Sequence, residues 1–209
     1  MDALLLDLDE TLYPRGRGVL ERMDARIESW LCERHGASTE EAPRLRVELW
    51  REHGTTLRGL MRLHAIDPAE YFAHVHGVEL ADLIGPDPSL RALLAGIARP
   101  KWIFTNAPRS HAARVLDLLG VADLFDGVIA IEDLAYAPKP EPAAYRAAVA
   151  RAGFDPRACC FVDDTHANAV GAARFGMHAV WVSHGRAPEG DCTGVEIIES
   201  LAGLADLLR

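Results

Sequence analysis

The sequence predicts an α/β protein, a parallel sheet flanked by helices with an all-helical segment inserted after the first strand. Three observations predict it. From Arg99 onward, short apolar runs alternate with helical segments, the rhythm of βαβ units and a parallel sheet. Glycines stand just past the ends of those helices, where a left-handed cap is expected. Between the first apolar run and this region lie roughly sixty-five residues with helical periodicity only, far more than a plain connection requires.

The elements follow in order. Leu4-Leu5-Leu6 reads as a buried strand, too short for a signal peptide or a membrane span. In the insertion, Val19, Leu20, Met23, Ile27, Trp30 and Leu31 fall on one helical face. Leu45, Leu49 and Trp50 continue that theme, as do Leu57, Leu60 and Met61, and both Trp30 and Trp50 read as core of the insertion. Asp67-Pro68 and Asp87-Pro88 are N-cap and first-turn proline signals, with Glu70 completing a box with Asp67. Ser38 with Glu41 is a further helix start, and the stretch Gly54-Thr55-Thr56 reads equally as a helix start and as a substrate contact. Beyond residue 99, strands are expected at 102–104, 128–131, 159–162 and 179–182. Helices are expected at 110–119, 142–152 and 167–175, stopped by Gly120, Gly153 and Gly176. Right-handed crossovers gather the C-terminal ends of such strands along one edge, where ligands bind.

Composition narrows the function. The 209 residues carry a net charge of −9 and no Lys/Arg run, which argues against a nucleic-acid polymer or a membrane surface as partner. No apolar stretch approaches the length needed to cross a bilayer. Of the four cysteines, Cys159 and Cys160 are adjacent in an expected buried strand, while Cys32 and Cys192 stand alone. This suits core thiols in a reduced, cytoplasmic protein rather than a disulfide framework or a zinc site.

Four signals sit at expected strand ends. Asp7 and Asp9 follow the first strand at i and i+2, which alternation sends to the same side. Thr105-Asn106 follows the strand at 102–104 and precedes a helix, a place that can hold phosphate oxygens. Lys139 lies between Pro138 and Pro140, and Asp163-Asp164-Thr165 repeats the opening arrangement after 159–162. Alone, each also reads as a solvated acidic turn, a helix cap or a surface lysine. Together they place four carboxylates, a hydroxyl and an amine along one edge. Carboxylates so gathered require a cation, and hard oxygen donors without His or Cys in register favour Mg²⁺ over zinc. One lysine with Mg²⁺ equips a site for phosphoryl transfer.

The ordered set Asp7-x-Asp9-x-Thr11, Thr105-Asn106, Lys139-Pro140 and Asp163-Asp164-Thr165 closely resembles the haloacid dehalogenase superfamily. The resemblance implies a Rossmann-like parallel sheet core of residues 1–14 and 86–209, with a C1-type all-helical cap over 15–85. It implies Asp7 as nucleophile, forming an aspartyl-phosphate and meeting the metal. It implies Asp9 as general acid/base, with its backbone carbonyl on the metal. By the same resemblance, Thr105 and Asn106 bind the phosphoryl group, Lys139 neutralises Asp7 and the phosphoryl oxygens, and Asp164 contacts Mg²⁺ directly. Asp163 contacts the ion directly or through water. An acid at position 9 fits an alkoxide leaving group, which needs a proton, rather than a halide, which does not. The expected activity is therefore a phosphatase.

A narrower resemblance, to the pyrimidine 5′-nucleotidase branch, rests on Leu12-Tyr13-Pro14, the stretch 54–60, His74-Val75-His76, Lys101 through Ala107, and His111-Ala112. One departure is His53-Gly54, where that branch usually has Tyr-Gly. The expected substrate is a small phosphorylated metabolite, a nucleoside monophosphate favoured, handled by a monomer or homodimer. The alternatives are a phosphatase for a sugar phosphate or phosphoglycolate, a phosphomutase, or a non-catalytic Mg²⁺ or phosphate-binding module. His74 and His76 are read as packing residues, because i and i+2 do not face each other on a helix. Arg15 and Arg17, beside Gly16 and Gly18, read as an exposed hinge, and Asn168 as a helix residue that orients the acidic cluster or lies at the surface.

Overall fold

The computed structural model describes residues 1–208. The chain divides into two compact units, Met1–Arg17 joined with the chain from Ile84 onward, and Gly18–Leu83.

The first unit is built on a six-stranded parallel sheet. Its strands are β1 (Ala3–Leu6), β2 (Lys101–Phe104), β3 (Gly127–Ile129), β4 (Cys159–Asp163), β5 (His178–Val182) and β6 (Val195–Ile198). The order across the sheet is β3-β2-β1-β4-β5-β6. β1 is central, with Leu4 opposite Lys101 on one side and Cys160 on the other. The winding reverses between β1 and β4, and in an open α/β sheet ligands bind in the crevice beyond the carboxyl ends at such a point. Leu4, Leu5 and Leu6 are all but fully buried, as are Cys159 and Cys160. A strand covered on both faces has no solvent side, which is why these runs read as continuously apolar. Burial pushes the Cys159 thiol up to about 11 and the Cys160 thiol up to about 12, so both stay protonated core groups.

The strands differ from expectation in two places. The run at 128–131 ends at Ile129, because Ala130 donates its N–H to the Asp133 carboxylate (3.0 Å) and Ile131–Leu134 forms a 3-10 turn. The edge strand β6 was not foreseen; its four residues follow a loop of Gly, Pro and acidic residues, and two of them are exposed.

The helices α1 (Val19–His35), α2 (Ala42–His53), α3 (Thr56–His64) and α4 (Pro68–His76) make up the second unit. Thr55 caps α3 by accepting from the Arg58 N–H, and Asp67 caps α4 by accepting from Ala69. Ser38 and Glu41 exchange hydrogen bonds one turn ahead of Pro43 at the start of α2. Trp30 is buried, edge-on to Tyr71 and His74. Trp50 departs from expectation, being 55% exposed. His74 packs on Trp30 and His76 on Phe72, and no metal-competent cluster includes either among the described residues.

The first unit is completed by α5 (Pro88–Ala95), α6 (Arg109–Leu119), α7 (Pro142–Ala152), α8 (His166–Phe175) and α9 (Leu204–Leu207). Gly120, Gly153 and Gly176 end their helices in the left-handed conformation, the one glycine adopts without strain. Among the described residues, no helix is long and apolar enough to cross a membrane.

Candidate active site

The carboxyl end of β1 delivers Asp7, whose N–H continues the ladder by donating to Val162 (2.9 Å). β4 ends in Asp163, with Asp164 next. One carboxylate oxygen of each of Asp7, Asp163 and Asp164 lies within 4.8 Å of the other two, and all three residues are buried. The loop between β3 and α7 brings in Lys139. Its Nζ donates to Asp7 Oδ1 (2.7 Å), Asp163 Oδ2 (2.7 Å) and the Phe104 carbonyl (2.8 Å), and its side chain is 1% exposed. Burial pulls the ammonium down in pKa, but the two carboxylates outweigh it and hold Lys139 above its ordinary value, charged.

One ammonium does not balance this cluster. Burial, with Asp163 and Asp164 beside it, pushes Asp7 well above the usual carboxylate range against the pull of Lys139. Asp164 is pushed up to about 6, mainly by burial and by Asp163, with Arg186 opposing. Three buried carboxylates, hard oxygen donors converging on one point and held at a cost in charge, suit a small divalent cation.

The supports around the cluster are specific. Thr11 bridges its two halves, its hydroxyl directed at Asp7 Oδ2 (3.4 Å) while accepting from the Asp164 N–H (3.0 Å). Asp163 is enclosed: Asn168 Nδ2 donates to both its oxygens (3.1 and 3.0 Å) and the Thr165 N–H to Oδ1 (2.7 Å). Asn168 is thus buried against the acidic cluster, and Tyr145 in turn donates its hydroxyl to the Asn168 carbonyl (2.7 Å). Asp164 is held by its carbonyl, which accepts from Trp181 Nε1 (2.8 Å) and Arg186 (2.6 Å); the same arginine nitrogen lies 3.2 Å from its carboxylate.

The Thr105 N–H donates to Ile129 (3.0 Å), and its buried hydroxyl accepts from Ala107 (3.0 Å), so the hydroxyl proton points elsewhere. Asn106 exchanges hydrogen bonds with the Lys139 backbone, donating to its carbonyl (3.1 Å) and accepting from its N–H (2.8 Å). Its side chain therefore pins the lysine loop. Lys101 lies at the opposite end of β2, bonded to the Ile97 and Arg99 carbonyls, and takes no part.

Asp9 has different company. Its Oδ1 accepts from the Tyr13 hydroxyl (2.7 Å) and meets His111 Nε2 at 2.8 Å. Burial and the Asp9 charge hold the Tyr13 phenol far above its ordinary pKa, so it keeps its proton and donates. Between the aspartates, Glu10 turns the chain with a left-handed φ of 57°. That turn is anchored: the Glu10 carboxylate accepts from Gly16 (3.2 Å) and pairs with Arg15 (3.3 Å), and its carbonyl lies 2.7 Å from His184 Nε2. Arg15 also comes within 3.8 Å of the Asp164 carboxylate.

Sequence reasoning singled out the carboxylates and Lys139 but missed Tyr13, His111, Glu10 and Arg186 as neighbours of the acids. One signal for His111 was present, a polar residue heading the buried i, i+4, i+8 stripe of Val115 and Leu119 on α6.

A parallel α/β core with an acidic cluster and one buried lysine at its switch point defines a class of hydrolases. Residues 1–176 match the haloacid dehalogenase-like hydrolases, and the chain belongs to that family. Phosphate metabolism protein 8 of Saccharomyces cerevisiae is 31% identical over 187 residues, a match covering 82% of this chain but 58% of the yeast protein. A phosphoglycolate phosphatase of Yersinia pseudotuberculosis is 25% identical over 197 residues, covering 86% of this chain and 79% of that one. In fold, the crystal structure of a haloacid dehalogenase-type phosphatase from Thermococcus onnurineus superposes with a TM-score of 0.68 at 23% identity, covering 100% of this chain and 98% of that one.

Proposed function

We propose that this protein is a Mg²⁺-dependent phosphomonoesterase that forms an aspartyl-phosphate on Asp7. The observation that carries the reading is the Lys139 ammonium held at 2.7 Å from both Asp7 and Asp163 among three buried carboxylates. A carboxylate so placed is a nucleophile whose charge, and that of an incoming phosphoryl group, is offset by a fixed cation.

In the first half-reaction an Asp7 oxygen attacks phosphorus and the bond to the ester oxygen breaks, with Asp9 giving its proton to the departing alkoxide. In the second, Asp9 takes a proton from water as that water attacks the phosphorus of the aspartyl-phosphate. Inorganic phosphate leaves and the Asp7 carboxylate returns. Thr105, and the backbone around Asn106, bind the phosphoryl oxygens. Asp7, Asp164 and the Asp9 carbonyl would hold the Mg²⁺, which supplies further charge neutralisation at the transferring group. Asp163 serves it from outside, since its oxygens are already bonded to Lys139, Asn168 and Thr165. The helical insertion, residues 15–85, is the candidate cap domain, and residues 1–14 with 86–209 are the candidate core.

A nucleoside 5′-monophosphate, pyrimidine for preference, is the leading substrate, supported by the sequence resemblance to that branch. Phosphoglycolate is the second reading, favoured by the relatives named for it. Phosphate release from UMP, CMP, phosphoglycolate and glucose 6-phosphate, with Mg²⁺ and then with chelator, is the test. Hydrolysis that chelator abolishes is expected, fastest on UMP or CMP. An enzyme fastest on phosphoglycolate transfers the reading to that substrate, and no Mg²⁺-dependent release from any ester ends it.

A further inference from the structure

We propose that the turn at residues 183–186 is a clasp that sets how tightly the acidic cluster holds its divalent cation, with Arg186 and His184 as its two positioning residues. The clasp deepens the phosphatase reading and rests on it for the identity of the ion.

The turn leaves the carboxyl end of β5 and is itself fixed. Ser183 and His184 donate their N–H groups to the Ile198 and Glu199 carbonyls (2.8 and 3.0 Å), and the Arg186 N–H returns to the Ser183 carbonyl (3.0 Å). His184 and Gly185 both take a left-handed φ, 51° and 76°. Residues other than glycine seldom adopt that conformation, and it persists where surrounding contacts over-determine it.

Two side chains leave the turn for two parts of the acidic centre. Arg186 goes to Asp164, where one guanidinium nitrogen meets both the carbonyl (2.6 Å) and carboxylate Oδ2 (3.2 Å). A donor shared between the backbone and side-chain oxygens of one residue restrains the rotation of the side chain between them. The guanidinium is held in turn, with Nε on the Ser183 carbonyl (2.8 Å) and its central carbon 5.7 Å from the centre of the Trp181 ring. Trp181 Nε1 donates to the same Asp164 carbonyl (2.8 Å). His184 reaches the other way. Its Nε2 lies 2.7 Å from the Glu10 carbonyl, to which it donates, and Glu10 is the left-handed residue between Asp9 and Thr11. The Thr11 hydroxyl closes the circuit by accepting from the Asp164 N–H (3.0 Å). One turn thus fixes the loop after β1 and the residue after β4, which are also bonded to each other.

On charge alone, an arginine beside Asp164 is counterproductive, because it competes with a metal ion for the same carboxylate. Orientation accounts for its place. Mg²⁺ demands its oxygens at near-ideal positions, and Asp164 is one of the three carboxylates that converge here.

That opposition of sign makes the clasp testable without any turnover. Cation binding to metal-free protein is measured in the absence of substrate, by calorimetry with Mg²⁺ and by loss of the free Mn²⁺ paramagnetic signal. Wild type is compared with Arg186→Met, Arg186→Lys and His184→Leu. The Arg186 side chain is 37% exposed, so its replacement empties no core. Arg186→Met makes the surroundings of Asp164 more negative, and a pure charge effect would tighten binding. The clasp predicts the reverse, a dissociation constant raised about tenfold, the scale of losing a group that orients a metal ligand. Arg186→Lys keeps the charge without the planar fork and should stay closer to Arg186→Met than to wild type. His184→Leu, acting through Glu10 and Thr11, should weaken binding by less. Unchanged or tighter binding in Arg186→Met overturns the clasp. So does a lowered metal-free melting temperature with Mg²⁺ affinity intact, the mark of a purely structural role. Should Arg186→Met fail to fold, Arg186→Lys and His184→Leu decide, and wild-type affinity in both overturns the clasp. A wild type that binds no divalent ion overturns it as well. A wild type that binds the ion but releases phosphate from no ester ends the phosphatase reading, and the clasp then stands or falls on the binding constants of the variants.

Discussion

Asp7 and Asp9 leave the same strand two residues apart, yet the protein builds opposite surroundings for them. Asp7 is set in a buried ionic cluster, with a lysine at 2.7 Å and two further carboxylates close by. Asp9 instead meets a phenol and an imidazole on one oxygen, and its side chain is 15% exposed. The lesson is that one turn of chain separates a carboxylate set among other carboxylates around a fixed ammonium from one held by a phenol and an imidazole. A proposed nucleophile and a proposed general acid call for different surroundings, because a fixed cation beside an acid favours loss of its proton.

The comparison breaks most sharply at the acids themselves. Asp7→Asn should lower phosphate release by about 10⁴-fold or more, the scale of losing a nucleophile. Asp9→Asn should lower it by about 10²–10⁴-fold, the usual share of general acid–base catalysis. Equal losses in the two variants, read from kcat on one substrate, would erase the distinction.

Lys139→Met probes the ionic side. It leaves Asp7 and Asp163 facing each other, buried and uncompensated, and should cost about 3–5 kcal/mol in a urea denaturation. An unchanged midpoint would mean that the lysine does not hold the cluster together.

The smallest effect is one of pH. Asp164 titrates near 6 when folded, raised by burial and by Asp163. A raised carboxyl favours the folded state on the acid side. That contribution is complete below the unfolded value of about 3.9 and disappears as pH rises through about 6. Metal-free protein therefore loses stability from this group over that window, and a cation restores it once the proton has left. Added Mg²⁺ should raise the melting temperature more at pH 7.5 than at pH 5. An equal rise at both pH values would place the ion away from Asp164.

Much of this was legible beforehand, for identifiable reasons. β1 and β4 are continuously apolar because both faces are covered, so the acids that end them stand out in the sequence. Gly120, Gly153 and Gly176 marked helix ends because left-handed caps demand them. What escaped depends on contacts that no local pattern encodes. His111 meets Asp9 across 102 positions, and Arg186 reaches Asp164 from a loop of ordinary composition. Asn106 was expected at the phosphoryl group by type, but its amide goes to the Lys139 backbone. Trp50 obeys helical spacing and still faces water, since periodicity gives a face and not the neighbour that covers it.

Lys139 has one more consequence. Its ammonium reaches the ends of three adjacent strands, β1 through Asp7, β2 through Phe104 and β4 through Asp163. Along the chain it comes after the first two and before the third. Satisfying that buried charge therefore requires all three strand ends at once, which ties this edge of the sheet together through a single side chain.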